Sequence, residues 1–304
     1  ALPYEDGDAP VWEAGEILSN RSPSSRDLFT ALGSQEYSFY DGNAGVLMDA
    51  MNVTSSTEAA DLISWATGEP IDGLRDLLDG IGGLGDVVHA GDKVAIKVNL
   101  TGGTTVAPLD GVLAIDSYIT HPEVVRALIE LVRDAGAREI YIVEAVYEWA
   151  SYVLWGYEEV AEALGATLVD LNDTRPYDSY AAAPVGEGWH IYPEFTFNHI
   201  LQDVDVFISV PKMKCHWSCG VTHSLKNLVG LVPARFYQTD PRHSHRSAFH
   251  GTEQEMGTRL PRVIIDLNRA RPIDLALIDG IKTTQGGEGP WIQTMSAIAP
   301  GVPD

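Results

Sequence analysis

Residues 94–100 read Val94-Ala95-Ile96-Lys97-Val98-Asn99-Leu100, and this short apolar run decides how the rest of the chain is interpreted. It has the length and composition of a buried strand. A helix is predicted after it, with Thr120 as its N-cap, Pro122 in its first turn and Gly136 at its end. The next apolar run, residues 140–144, is predicted to be a second strand. A strand, a helix and a strand in this order indicate a parallel βαβ unit.

The same alternation continues towards the C-terminus. Further strands are predicted at residues 167–171, 204–210 and 275–279, with helices at residues 158–164 and 262–270. The strand runs are apolar without alternation, as expected for strands that are covered on both faces. The sequence therefore predicts an α/β fold with a mostly parallel sheet flanked by helices over residues 91–304. Residues 1–90 are predicted to form a mixed, irregular N-terminal extension.

The composition excludes two broad classes of partner. The formal net charge is −23, whereas a duplex-binding surface needs clustered Lys and Arg, so no nucleic-acid partner is expected. No run of about 18 apolar residues occurs, and no transmembrane segment is predicted. Only six of the 20 basic residues are lysines, and three of these lie between residues 212 and 226. Such clustering suggests a need for compact ammonium groups, with chance as the open alternative.

Polar residues follow the predicted strands at one edge of the sheet. Ligands of parallel sheets bind outside the carboxyl ends of the strands, so we expect these side chains to form one site. A single polar residue at a strand end often marks only the chain leaving the core, but here four of five strands end in ionisable groups. They are Lys97 with Asn99, Glu144, Lys212 with Lys214 and His216, and Asp279.

Lysines and a histidine in this setting favour the binding of an anion or acid–base chemistry on it. Crowded cations lower one another's pKa, which would make a neutral lysine available as a base. A short helix capped by Thr222 or Ser224 would direct backbone N–H groups to the same anion. We therefore predict catalytic roles for Lys214, His216, Lys226 and Asp279.

One divalent metal ion is a further hypothesis. Carboxylates and imidazoles are available, and we expect His216, Asp279 or Glu288 among the ligands. His243 and His245 form the second choice, with a surface loop as the alternative interpretation. Cys215 and Cys219 are a weak metal signal, and a disulfide or two buried thiols is the preferred interpretation.

The segments that carry these residues resemble the family called domain of unknown function 362, from about residue 90 to the C-terminus. The resemblance rests on residues 96–100, 120–125, 204–216, 224–230, 278–281 and 288–290. It implies functional positions at Lys97, Asn99, His121, Lys212 and Asn227, which we expect to bind the ligand. Members of that family often carry export signals, and some are fused to ferredoxin-like modules. With two cysteines, no iron–sulfur cluster is expected here.

The export signals of relatives and the missing initiator Met favour an exported protein, periplasmic or extracellular, with the cytoplasm as the alternative. The family pattern continues past residue 304, so we expect either a truncated chain or a sheet completed by other protein chains. Together these features predict an enzyme or binding protein for a small carboxylate or phosphate, with metal assistance as an option. The alternative is a non-catalytic exported structural or metal-binding subunit, and whether the protein is an enzyme stays open.

Overall fold

A computed structural model describes residues 70–104, 113–216, 218–239, 246–255, 257–285 and 296–298. The helices are α1 (Pro70–Asp79), α2 (Pro122–Asp134), α3 (Ala150–Leu154), α4 (Tyr157–Leu164), α5 (Ile200–Asp203), α6 (Ser224–Asn227), α7 (Ser247–His250) and α8 (Arg259–Ala270). The strands are β1 (Lys93–Lys97), β2 (Glu139–Glu144), β3 (Thr167–Asp170), β4 (Tyr180–Pro184), β5 (Glu194–Asn198), β6 (Val206–Ser209), β7 (Lys214–His216), β8 (Gly220–Thr222), β9 (Leu275–Ala276), β10 (Thr283–Gln285) and β11 (Ser296–Ile298).

Five strands form the central sheet in the order β3-β2-β1-β6-β9, and every neighbouring pair is parallel. The register places Lys97 beside Val143 of β2 and Ser209 of β6. The predicted α/β fold with a parallel sheet flanked by helices is therefore confirmed. The strand order runs outward from β1 in both directions, so the switch point of the topology lies between β1 and β6.

The two faces of the sheet are covered by different elements, and strand alternation decides which side chain joins which layer. Val94 and Ile96 of β1 pack in the cluster that contains α1, α2 and α4. Ala95 packs in the cluster on the other face, which contains α8 and the β4–β5 hairpin. Residues 74–88 of the predicted N-terminal extension contribute Leu74, Leu78, Leu84 and Val88 to the α2 layer. Residues 1–69 lie outside the described part of the chain.

The small antiparallel pairs stand outside the main sheet. They are β4–β5, β7–β8 and β10–β11. The β4–β5 pair lies within residues 173–200, a stretch whose Pro, Tyr, Gly and Trp content predicts an excursion from the sheet. In the described ranges, no helix has the length and apolar character needed to cross a bilayer.

The start of α2 differs from the prediction. Its N-cap is His121 rather than Thr120, and the ring Nδ1 of His121 accepts a hydrogen bond from the Glu123 amide at 3.2 Å. Thr120 is occupied elsewhere, because its hydroxyl donates to the Val210 carbonyl at 2.6 Å and accepts from the Asn99 amide at 2.9 Å. Thr120 thus joins the ends of β1 and β6 instead of capping the helix.

Candidate functional site

A pocket of about 410 Å³ opens at the carboxyl ends of β1 and β2, beside the switch point of the sheet. This volume falls in the range of small-molecule sites. The described residues that line it are Lys97, Asn99, Leu100, Thr101, Gly102, Glu144, Ala145, Tyr147, His216, Lys226, Asn227, Val229, Gly230, Arg246 and His250.

A buried ion pair forms the floor of this pocket. Lys97 Nζ lies 2.9 Å from Glu144 Oε1, and both side chains are buried. The same ammonium donates to the Val98 carbonyl at 2.7 Å and to Asn227 Oδ1 at 3.2 Å. Since an ammonium has three protons, these acceptors use all of them. Glu144 also accepts from the amides of Leu100 and Ala145, each at 3.0 Å. Lys97 therefore holds the floor together rather than offering its protons to a ligand.

The environment of Lys97 changes its acidity. Burial lowers the pKa of Lys97 to about 8, against the opposing effect of Glu144. The positive charges of Arg246 and Lys226 also contribute to this lowered pKa. A lysine that is predicted to bind ligand thus titrates close to neutral pH.

Gly230 closes the floor from the side of the segment that follows α6. Its carbonyl accepts from the Ala145 amide at 3.0 Å. A Cβ on Gly230 would lie 2.1 Å from Glu144 Oε1 and 2.8 Å from Lys97 Nζ, so any side chain would displace the ion pair. Only glycine fits at this position, because the Lys97–Glu144 ion pair lies so close to its backbone.

Arg246 is the cation that prediction from sequence misses. Its guanidinium is buried, with Nε donating to the Val232 carbonyl and Nη2 to the carbonyls of Val232 and Ala145 at 2.9 to 3.1 Å. A guanidinium carries five N–H donors, and these bonds use three. The two protons of Nη1 have no hydrogen-bond acceptor among the described residues, and the side chain forms no ion pair with a described carboxylate. Burial lowers its pKa, but an arginine stays protonated at neutral pH.

Two histidines stand beside Arg246 in the pocket wall. The rings of His216 and His250 are stacked with centroids 6.1 Å apart. His216 Nδ1 accepts from the Ser218 amide at 3.2 Å, which assigns the ring proton to Nε2. Burial, and then the charge of Lys226, hold the pKa of His216 far below its usual range. His216 is therefore a neutral Nε2–H donor rather than an imidazolium.

A second polar cluster lies at the same edge of the sheet and is built around Asp279. Lys212 Nζ lies 2.8 Å from Asp279 Oδ2, with both side chains buried, and also donates to the Lys282 carbonyl at 3.0 Å. The amide of His121 donates to the same Asp279 oxygen at 2.8 Å. Lys214 is bonded through Nζ to the Tyr118 carbonyl at 2.6 Å. None of these predicted site residues is among the described residues that line the pocket.

Strand alternation explains the division into two clusters. Lys97 continues the side of β1 that holds Ala95, and Ser209 continues the side of β6 that holds Phe207; both face the α8 layer. Lys212 and Asp279 continue the sides that face α2. The structure thus brings together Lys97, Asn99, His216, Lys226 and Asn227 in the pocket, and places His121, Lys212, Lys214 and Asp279 elsewhere.

Comparison with known proteins agrees with the resemblance of these segments. A family model described as domain of unknown function (DUF362) matches residues 94–301. The chain belongs to this family. Every described residue of the pocket and of the second cluster falls within the matched range.

A relative adds one further comparison. The chain is 29% identical over 230 residues to the "Thylakoid-associated protein sll1697" of Synechocystis sp.. The match covers 73% of this chain and 62% of the relative, so the chain spans less than two thirds of that relative's length.

Only some of the residues predicted to bind a metal ion lie in the part of the chain that the structure describes. Glu288, His243 and His245 lie outside the described residues. Within the described ranges, no group of three or more His, Cys, Asp or Glu side chains is placed to hold a metal ion. Asp279 Oδ2 is engaged by Lys212, and a metal on His216 Nε2 would have to replace its proton. No disulfide joins Cys215 and Cys219, which are both described and half-buried.

The helix predicted at residues 222–230 is shorter than expected. The helix α6 has four residues and continues as a 3-10 turn over Leu228–Leu231, with His223 as N-cap. Neither Thr222 nor Ser224 caps it, and the Ser224 carbonyl accepts from Ser209 Oγ at 3.2 Å. The capping role predicted for Thr222 or Ser224 is therefore wrong.

Proposed function

We propose that this protein binds a small anionic molecule in the pocket at the carboxyl ends of β1 and β2. The charge of the described lining carries the proposal: Lys97, Lys226 and Arg246 are cationic, and Glu144 is the one carboxylate, already paired with Lys97. Of these cations, Arg246 makes no ion pair with a described carboxylate, in a chain whose formal net charge is −23. A buried guanidinium with two protons that find no acceptor among the described residues supports an oxyanion as the ligand.

Calorimetric titration with a set of anions tests this proposal. Inorganic phosphate, sulfate, acetate and citrate are compared with glycerol as a neutral control, and binding of at least one anion is expected. Lys226→Gln should weaken that binding by about tenfold, because it removes one positive charge from the lining of the pocket. Lys282→Gln is the matched control, since Lys282 lies outside the pocket and pairs with Asp116 at 3.6 Å. Equal losses in both variants would contradict the proposal.

Catalysis at this pocket stays a prediction. The neutral His216 favours donation of a hydrogen bond to an oxyanion over transfer of a proton. The catalytic roles predicted for Lys214 and Asp279 require a ligand that contacts the second cluster, and those for His216 and Lys226 require only a ligand in the pocket. A turnover assay with any anion that binds would compare variants of the two groups.

A metal-assisted version of this proposal has its own test. Elemental analysis of protein purified without chelator is expected to give close to one equivalent of a divalent ion if Glu288, His243 or His245 complete a site. Less than about a tenth of an equivalent, with no thermal shift on adding Mg²⁺ or Ca²⁺, would contradict it. A bound ion at a hundredfold excess over its Kd should stabilise the fold by ~2.7 kcal/mol.

We also propose a cellular location, and we keep the role of a non-catalytic subunit as the alternative function. The name of the Synechocystis relative supports a location near a membrane, and the family resemblance supports export. Fractionation of the native cell would separate periplasmic, membrane-associated and cytoplasmic locations. A structural subunit predicts an intersubunit contact above about 1,000 Å². Sedimentation of a clean monomer at micromolar concentration would contradict it.

A further inference from the structure

A turn rich in glycine follows β1 and lines the pocket with its first four residues. It reads Asn99-Leu100-Thr101-Gly102-Gly103-Thr104, and we call it the glycine turn. The φ angle is 89° at Gly102 and 67° at Gly103. Two successive residues in the left-handed region are sterically costly for any residue with a Cβ, so the path of the turn depends on both glycines.

The glycine turn is held at both of its ends by carboxylates. The Leu100 amide donates to Glu144 Oε2 at 3.0 Å, and the Thr104 amide donates to Glu148 Oε1 at 2.6 Å. Glu144 belongs to the ion pair in the floor of the pocket. The turn is therefore fixed to the floor, and its main chain keeps one position relative to the pocket.

Two main-chain amides between these ends have no acceptor. Within the described ranges, neither the Thr101 amide nor the Gly102 amide donates a hydrogen bond. Gly102 is buried and lines the pocket. Buried main-chain amides are nearly always hydrogen-bonded, to protein, water or ligand. Because glycine has no Cβ, a ligand in the pocket can approach the Gly102 amide closely and supply the acceptor.

Arg246 is an independent indication that the same pocket takes an anion. The side chain lines the pocket and is held by the carbonyls of Val232 and Ala145. The residue is only 5% exposed, and its Nη1 protons meet no acceptor in the described part of the chain. A fixed cation and main-chain donors thus border one space.

The number of available donors distinguishes between classes of anion. Two further donors line the pocket without an acceptor among the described residues, the Thr101 hydroxyl and the Asn99 amide nitrogen. Together with the two amides and Arg246 Nη1, they outnumber the roughly four hydrogen bonds that the two oxygens of a carboxylate accept. A phosphoryl group presents three strongly accepting oxygens.

We infer that the anion is a phosphoryl group, as free phosphate or as a phosphate monoester, held between the glycine turn and Arg246. The inference rests on the proposed function and names the chemical class of its ligand. Arginine and successive main-chain amides are the groups with which proteins commonly hold phosphate oxygens. A carboxylate would leave some of these donors without an acceptor, which costs binding free energy.

Probes of equal charge test the phosphoryl group against a carboxylate. Calorimetric titration of the whole chain at about pH 7.5 compares methyl phosphate and inorganic phosphate with succinate, because methyl phosphate and succinate both carry about two negative charges there. At least one phosphorylated probe should bind roughly tenfold tighter than succinate, the gain expected from one or two additional hydrogen bonds. Tighter binding of inorganic phosphate would identify the free ion as the ligand, and tighter binding of methyl phosphate a monoester.

The failure of this inference differs from the failure of the proposed function. Succinate that binds as tightly as both phosphorylated probes overturns the phosphoryl group and leaves anion binding in place. No binding of any anion overturns both.

A variant of the glycine turn connects the preference to its main chain. Gly102→Ala adds a Cβ beside the amide, at a φ that side chains rarely adopt, and should weaken the binding of the preferred phosphorylated probe by about tenfold or more. Gly82→Ala is the matched control, because φ there is 99°, a Cβ meets no atom within 4 Å, and Gly82 does not line the pocket. Unchanged affinity in Gly102→Ala, or equal losses in both variants, would overturn the role of the turn.

A measurement on the unaltered chain decides if Gly102→Ala does not fold. In a nuclear magnetic resonance titration with the preferred phosphorylated probe, the amide proton of Gly102 should shift downfield, because a hydrogen bond to a phosphate oxygen deshields it. The amide proton of Gly82 is the control signal and should not move. A Gly102 signal that stays in place at saturation would overturn the inference.

Discussion

At the scale of single residues, the pocket depends on groups whose usual properties are altered by burial. Lys97 is predicted from sequence as a ligand-binding cation, but three acceptors use its three protons. Arg246 has the opposite arrangement, since main-chain carbonyls hold it and leave Nη1 available. Under the proposed function, the cation that fixes the floor of the pocket and the cation that meets the ligand are therefore different residues.

The titration of Lys97 gives the first prediction. Its pKa of about 8 should appear as a midpoint near 8 in a nuclear magnetic resonance titration of the labelled lysines, with Lys97→Met identifying the signal. Between pH 8 and 10.5 the unfolded chain holds this proton and the folded chain does not. The free energy of unfolding should therefore increase with pH across that window, as far as Lys97 determines it. Six midpoints above 10 would refute the assignment.

Gly230 provides the second prediction. Gly230→Ala forces a methyl group against Glu144 and Lys97, and should lower the free energy of unfolding by ~1–3 kcal/mol. Urea denaturation measures the loss. Gly85→Ala is the control, because a Cβ there meets no atom within 4 Å and the backbone is not left-handed. A loss no larger than that of the control would show that the ion pair can move aside.

At the scale of elements, the start of α2 links the helix to the ends of the central strands. The His121 ring caps the helix, its amide binds Asp279, and Thr120 bonds to the ends of β1 and β6. Burial lowers the pKa of His121, in accord with a neutral ring that accepts through Nδ1. This geometry gives His121 a structural role independent of any ligand.

The third prediction separates that capping role from ligand binding. His121→Ala should lower the free energy of unfolding by ~0.5–2 kcal/mol, and His121→Asn should restore most of it because Asn is a good N-cap. Chemical denaturation measures both variants, with the exposed His89→Ala as control. An Asn variant as unstable as the Ala variant would argue against a cap.

The predictable part of this structure is the part encoded locally. Apolar runs predict the strands and the edge at which Lys97, Glu144 and Asp279 emerge, and the parallel sheet confirms both. The face of the sheet on which a side chain lies is harder to predict. A shift of one residue in the position of a strand moves each of its side chains to the opposite face. The role of Arg246 could not be predicted from the sequence. The carbonyls that hold its guanidinium belong to Ala145 and Val232, which lie outside its own local segment. The one available signal was its place in a stretch rich in Arg and His.

At the scale of the whole molecule, two polar clusters lie at the same edge of the sheet but on opposite faces of it. The pocket faces the α8 layer, and the Lys212–Asp279 pair faces the α2 layer. The sequence predicts a single site from the same residues. The structure instead places a pocket on one face of the sheet and, on the other, a buried pair that joins β6 and β9 beyond their last paired residues.

The fourth prediction decides between one site and two. Removing one partner of a buried pair costs ~3–5 kcal/mol, so both are replaced together in Lys212→Met/Asp279→Leu. The affinity for inorganic phosphate should stay within about twofold of the unaltered chain, as expected for separate sites. Lys226→Gln in the same titration is the positive control. A tenfold loss in the double variant would restore the single site that the sequence predicts.

The hydrogen bonds that join Ala145 to Gly230 and Arg246 also have a kinetic consequence. Ala145 follows the first βαβ unit, whereas Gly230 and Arg246 come from segments synthesised much later, so the pocket is absent until long-range contacts have formed. A bound anion can then stabilise only the nearly complete fold. It should slow unfolding while leaving the rate of folding unchanged, because its contacts are missing from an early transition state. The ligand therefore keeps the folded molecule folded for longer, but it does not guide the chain to its folded state.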